Sequence, residues 1–266
     1  MSANAAPRAR DVIADLAARG QYSFASSEFR SALGVSEQAA RQALSRVAAK
    51  GEIASPARGF YVIVPPEYRR LGCLPADQFL PALMEHRRAR YYVGLLSAAQ
   101  YHGAAHHRPQ EFQVMLGTNR PMIVCGSVRV AFVARRELAA VPVESFNNPR
   151  GTILVSTVEA TAVDLVGYMH RAGGVDRVAG VLSELGENMD PERLADASES
   201  ASILWVQRLG YLLERVGAGD RAVLLKEHVR RRARNYTKLV PSVRADGAPR
   251  SHDWRLFVNV GVEADV

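Results

Sequence analysis

The residues best suited to recognition chemistry lie in one stretch, Ser36 to Lys50, which reads S-E-Q-A-A-R-Q-A-L-S-R-V-A-A-K. On a helical wheel Ala40, Leu44 and Val47 share one side and can pack inward. Gln38, Gln42, Ser45, Arg46 and Ala49 fall on the other side, with Arg41 on the flank. That face suits the reading of base edges. Gln and Arg offer paired groups to purines, and small residues allow close approach. Gln38, Arg41, Gln42 and Ser45 are the candidate base readers, and Arg46, Lys50 and the more distant Arg58 the candidate phosphate contacts. An ordinary solvated helix carries the same pattern, so the surrounding chain must decide between the two.

Enzymatic constellations are weak by comparison. Nucleotidyl transfer needs a Gly-Ser turn for phosphates followed closely by paired carboxylates for metal ions. Here Gly126-Ser127 leads into Val128-Arg129-Val130, and no acidic residue follows until Glu137. Neither a Walker-type nor a Rossmann glycine motif is present, and no G-x-S-x-G elbow supports a serine nucleophile. His102 and His106 are four apart, with His107 adjacent, but Gly103 interrupts any shared helix and only Glu111 is acidic nearby. Capping or surface polarity accounts for them better than a metal does. No catalytic residue, metal or cofactor is expected.

The elements that would position the candidate reading face are well signalled. Arg8 to Arg19 has a helical stripe of Val12, Ile13, Leu16 and Ala17, ended by Gly20. Ser26 or Ser27 caps a short helix carrying Phe29 and Leu33, and Gly34-Val35 makes a tight turn. Ser36 caps the third helix, which stops at Gly51. Glu52 to Ser55 and Phe60 to Val64 are β-prone runs around a Pro56-Ala57-Arg58-Gly59 turn, the pattern of a hairpin. Three helices followed by a hairpin with a basic tip form a winged helix-turn-helix. Pro65-Pro66 closes it, and Glu67 to Leu74 reads as a linker.

Beyond the linker, Asp77 to Arg88 predicts a helix and Tyr91 to Gly103 a second, mostly buried one. Four β-prone segments follow, Glu111–Leu116, Met122–Cys125, Val128–Val133 and Thr152–Val155, and these predict one antiparallel or mixed sheet. Ser156-Thr157-Val158-Glu159 reads as a capping box. Helices are then expected at Ala160–Met169, Val175–Leu185, after Asp190-Pro191, at Ile203–Leu213 and at Arg221–Arg232. The alternating Trp254–Val260 reads as a late strand rejoining the sheet. The fold class is therefore α+β: a winged helix-turn-helix over 1–66, then a larger mixed sheet-and-helix domain over 67–266.

The 266 residues carry a net charge of +7, which favours polyanionic partners through counterion release. Cys73 and Cys125 are too few for a disulfide framework, and buried thiols in a reducing compartment are expected. No apolar run is long enough to span a bilayer. Met1 to Arg10 lacks the apolar core of a signal peptide, so a cytoplasmic location away from membranes is expected. The run Lys226 to Lys238 carries Arg230, Arg231, Arg232, Arg234 and Lys238 with Tyr236 interleaved. It is either a solvated helix end or an anion-facing patch for DNA, RNA or an acidic partner. Arg87, Arg88 and Arg90 form a lesser cluster of the same kind.

Several motifs occur in a familiar order. They are R-G-F-Y-V at Arg58–Val62, L-L-S-A-A-Q-Y-H-G within Tyr92–Gly103, the strand Glu111–Leu116, T-V-E-A-T-A-V-D ending at Asp164, and Trp254–Asn259. Over approximately Arg8 to Asn259 the chain resembles the AbiEi-type antitoxins of bacterial abortive-infection (AbiE) toxin–antitoxin systems. The resemblance implies a winged domain that binds repeats in its own promoter DNA and represses it, and a C-terminal domain that counters a nucleotidyltransferase toxin. It leaves open whether the toxin is bound, modified or opposed indirectly. Two alternatives stand beside it: a regulator whose second domain senses a ligand, and an antitoxin that modifies its toxin covalently.

Overall fold

Residues 8–104 and 109–263 are described by a computed structural model. The chain begins with α1 (Ala9–Ala18), β1 (Ser23–Ala25), α2 (Ser26–Leu33), α3 (Glu37–Ala49), β2 (Ile53–Ala57) and β3 (Phe60–Ile63). The strands form a three-stranded antiparallel sheet in the order β1-β3-β2. This is a winged helix-turn-helix. The Ser36 hydroxyl accepts the Ala39 N–H at 3.3 Å and fixes the start of α3, as its cap position predicts. Leu16, Phe29, Leu44 and Val47 meet in the core between the helices, with Phe24 and Ile53 from the sheet beneath them.

Two details depart from expectation. The wing turn is only Arg58-Gly59, because Pro56 lies inside β2, where the pairing register slips between Ala54 and Ala57. A proline without an N–H to donate fits such an irregularity. The third wing strand, β1, is three residues long and leaves too little pattern to be read from sequence.

The second part starts with a turn at Pro66–Tyr68 and α4 (Ala76–His86). Residues 67–74 connect the two parts, with Glu67, Arg69, Arg70 and Gly72 exposed and Cys73 and Leu74 fully buried. A six-stranded mixed sheet follows, built from β4 (Tyr91–Val93), β5 (Phe112–Leu116), β6 (Ile123–Cys125), β7 (Val128–Ala134), β8 (Val143–Asn148) and β9 (Gly151–Ser156). Its order is β6-β7-β5-β4-β9-β8, with β5–β7 and β4–β9 parallel. Helix α5 (Leu95–Tyr101) leaves β4 directly. Five more helices come after the sheet: α6 (Val158–Gly167), α7 (Val175–Gly186), α8 (Pro191–Glu199), α9 (Ile203–Arg215) and α10 (Val223–Arg232). The end forms a small sheet of β10 (Thr237–Lys238), β11 (Arg250–Ser251) and β12 (Leu256–Phe257), ordered β10-β12-β11.

Three expectations are corrected by the fold. Tyr91 to Gly103 is a strand and then a helix, because an unbroken apolar run carries no period that separates the two. Tyr92 and Val93 take central positions in the sheet. The Trp254–Val260 segment pairs for only two residues, in the small sheet rather than the large one, because the Trp254 ring is buried against α9. The helix cap at Ser156 is displaced by one residue. Thr157 is the cap, accepting from the Ala160 N–H, while the Ser156 hydroxyl bonds Thr161 at 2.7 Å. Glu159 instead turns away to accept the Asp190 N–H at 3.2 Å, at the start of α8.

Side chains alternate across the sheet, as its pleat requires. Tyr92, Met115 and Val133 face the layer of α5 to α10. Val93, Val114 and Phe132 face the opposite way, into a cluster with Phe79 and Leu83 of α4. Ala54, Phe60, Val62 and Val64 from the wing belong to that same cluster. The wing thus packs on the second part as well as on its own helices. Phe60 meets the His86 ring at 5.4 Å, and the Arg150 guanidinium lies 3.3 Å over Tyr22.

Candidate nucleic-acid interface

Helix α3 buries one face and exposes the other. Ala40, Ala43, Leu44 and Val47 are buried. Gln38, Arg41, Gln42, Ser45, Arg46, Ala49 and Lys50 are exposed, as is Arg58 at the wing turn. Every residue singled out for base or phosphate contact is therefore free to meet a ligand. Arg41 and Arg58 come together on a cleft of about 600 Å³ between α2, α3 and the wing. Ser26, Ser27, Arg30 and Tyr61 line the same cleft. Arg30 and the two serines were not among the sequence candidates. Their signal was present in the exposed polar side of α2, which faces the turn rather than the core. Three arginines with two hydroxyls beside them suit phosphate oxygens. One acid opposes them, Glu37, whose Oε1 pairs with Arg41 Nη2 at 2.9 Å.

The second basic stretch is arranged differently. Arg230 and Arg231 both pair with Glu227, each at 2.7 Å, and together they hold that carboxyl below its usual range. Arg232 lies 3.8 Å from Glu199. Lys238 donates to the Val243 carbonyl at 3.0 Å, and Tyr236 hydrogen-bonds His252 at 2.7 Å. Part of the run's charge is thus met within the protein. Arg234 is exposed.

Of the histidines, His106 and His107 lie outside the described residues. His102 Nε2 is 2.7 Å from the Ser156 carbonyl, and its ring meets Phe146 edge-on. Among the described residues no cluster of three His, Cys, Asp or Glu side chains is placed to hold a metal.

One buried polar group went unread in the sequence. Asp164 of α6 accepts the Tyr92 hydroxyl at 2.6 Å and pairs with Arg135 Nε at 3.0 Å. The Arg135 guanidinium in turn lies 4.9 Å over Trp205. Burial pushes the Asp164 carboxyl up to about 6, against the opposing pull of Arg135 and Tyr92. The cluster joins β4, the end of β7, α6 and α9. It ties the sheet to the helical layer.

Residues 92–215 match the family model described as the AbiEi antitoxin C-terminal domain. The chain carries the AbiEi antitoxin domain. The matched region runs from β4 to the end of α9 and contains Tyr92, Arg135 and Asp164. The AbiEi domain supports an antitoxin role in a toxin–antitoxin system. Among solved structures, the crystal structure of the RV2827C protein from Mycobacterium tuberculosis is similar, with a TM-score of 0.66 and 17% identity over 94% of this chain and 92% of that one. At that identity the likeness is one of fold. No curated protein matches in sequence. Among the described residues no helix is long and apolar enough to cross a membrane.

Proposed function

We propose that this protein is the antitoxin and autorepressor of its own toxin–antitoxin operon. The winged part, residues 1–66, binds inverted repeats in the promoter. Residues 67–266 counter a cognate nucleotidyltransferase toxin in the cytoplasm, without catalysing a reaction. The observation that carries the DNA reading is the exposed polar face of α3 beside the Arg58 turn. Gln38, Arg41, Gln42 and Ser45 read base edges, while Arg46, Lys50 and Arg58 hold phosphates. The cleft residues Arg30, Ser26 and Ser27 add to the phosphate contacts. The net charge of +7 acts in the same direction by drawing the protein to polyanions.

The exposed arginines at the end of α10 offer an anion-facing surface to an acidic partner. Repression and neutralisation then belong to different surfaces of one molecule.

Fluorescence anisotropy with the DNA upstream of the gene tests the repressor half. The purified protein is expected to bind that duplex more tightly than a shuffled duplex of the same composition, and to lose affinity steeply with salt. Equal affinity for both duplexes would overturn it.

A further inference from the structure

The turns at Leu71-Gly72 and Gly126-Ser127 lie in backbone contact. The Ser127 N–H donates to the Leu71 carbonyl at 2.8 Å. Opposite each other in the next position stand Gly72 and Gly126, both at positive φ (+71° and +57°). A Cβ added at Gly72 would lie 3.1 Å from Gly126 Cα, and one at Gly126 would overlap the Leu71 carbonyl oxygen. Only residues without a side chain allow this approach. Cys73 and Cys125 are the next residues along, both in the cluster beneath the sheet, and each is the first influence on the other's thiol. Both cysteines are free thiols.

The two thiols are not equivalent. Cys73 is fully enclosed, whereas Cys125, at the end of the edge strand β6, keeps 8% of its surface. The Cys125 sulfur also receives the backbone N–H of Ser55 from the wing strand β2. Two donors thus act on Cys125, whereas the Leu74 N–H alone acts on Cys73 against its burial.

We propose that Cys73 and Cys125 form a reversible dithiol–disulfide site, oxidised by a peroxide, with Cys125 attacking and Cys73 resolving. The Cys73 S–H bond and the Ser55 N–H favour the Cys125 thiolate, and its pKa is lowered accordingly, while the neighbouring sulfur and burial raise that of Cys73. The Cys125 thiolate attacks one peroxide oxygen. The O–O bond breaks, Cys125 becomes a sulfenic acid, and the departing hydroxide takes the Cys73 proton to leave as water. The Cys73 thiolate then attacks the Cys125 sulfur. The S–S bond forms, the S–O bond breaks, and hydroxide leaves with the proton that Cys125 first gave up. In sum, two thiols and one peroxide give one disulfide and two waters. Sulfur is oxidised by two electrons and the peroxide reduced by two.

The site lies where the wing meets the second part. Oxidation removes the thiolate that accepts the Ser55 N–H, and it fastens the connection after the wing to the β6–β7 turn. The oxidation state is thereby coupled to the seating of the wing, independently of any DNA or toxin.

The test uses the reduced full-length protein, exposed to hydrogen peroxide and followed by intact mass and by alkylation after denaturation. The expected result is a mass lower by two hydrogens, loss of both alkylatable thiols, and recovery of both with dithiothreitol. In Cys73→Ser, dimedone should trap a sulfenic acid at Cys125; in Cys125→Ser, Cys73 should stay unreacted. Two fully alkylatable thiols in the treated wild-type protein would overturn the site. Equal dimedone labelling of the two variants would overturn the assignment of attacking and resolving roles.

Discussion

Arg41 and Glu37 face each other across one turn of α3, Nη2 to Oε1 at 2.9 Å, with both side chains largely in solvent. An exposed pair of this spacing contributes about 0.3–0.5 kcal/mol, whereas a bidentate contact from Arg to a base discriminates by about 1–3 kcal/mol. On the proposed DNA reading, the base takes the guanidinium from Glu37. Arg41→Ala is expected to reduce the preference for promoter over shuffled DNA by roughly tenfold. Equal losses on both duplexes, measured by competition binding, would remove Arg41 from base reading.

Lys50 ends α3 and Arg58 turns the wing, both exposed. Replacing either by Ala should weaken promoter and shuffled DNA alike. It should also lower the slope of log K against log salt by about one for each phosphate left without its cation. A salt titration of each variant checks this. An unchanged slope would exclude the residue from phosphate binding.

The raised Asp164 carboxyl predicts a pH dependence. Its folded value of about 6 exceeds the usual 3.8, so the folded state binds this proton more tightly than the unfolded chain does. The stabilisation is full below the unfolded value and is lost as pH rises through about 6. Asp164→Asn cannot titrate. Thermal melts of the two proteins should therefore show the wild-type advantage shrinking as pH rises from 3.8 to about 6, and a constant difference across that window would contradict the account.

Helix α9 passes Trp254 at Gly210, where an added Cβ would overlap the indole ring. Trp254 is fully buried, and its Nε1–H donates to Glu214 at 2.7 Å, so the ring has little room to move. Gly210→Ala should cost about 1–3 kcal/mol by overpacking. Calorimetry should show a lowered Tm.

The winged helix was legible because its signals are local: the Ser36 cap, the Gly51 stop, and the two β-prone runs around Arg58-Gly59. The exposed face of α3 followed from spacing alone. What escaped depends on contacts distant in sequence. Strand β8, V-E-S-F-N-N, is an edge strand with a mixed polar pattern, and only its pairing with β9 defines it. Arg135 and Asp164 are far apart in the chain, and nothing in either neighbourhood announces their ion pair. Trp254 had the alternation of a strand, but its burial against Gly210 determines its place. Arg30 joined Arg41 and Arg58 only once α2 and the wing were in position.

The shared core also shapes how the antitoxin half is tested. Cutting the chain near residue 74 would strip Phe60, Val62 and Val64 from the cluster beneath the sheet, so point variants are the cleaner tool. The most direct measurement is growth on co-expression with the proposed nucleotidyltransferase toxin. It compares the wild-type chain with a variant in which Arg41, Arg46, Lys50 and Arg58 are all Ala. Both proteins are expected to rescue growth, while only the wild type silences a promoter reporter. Failure of the wild-type protein to rescue growth would contradict the account.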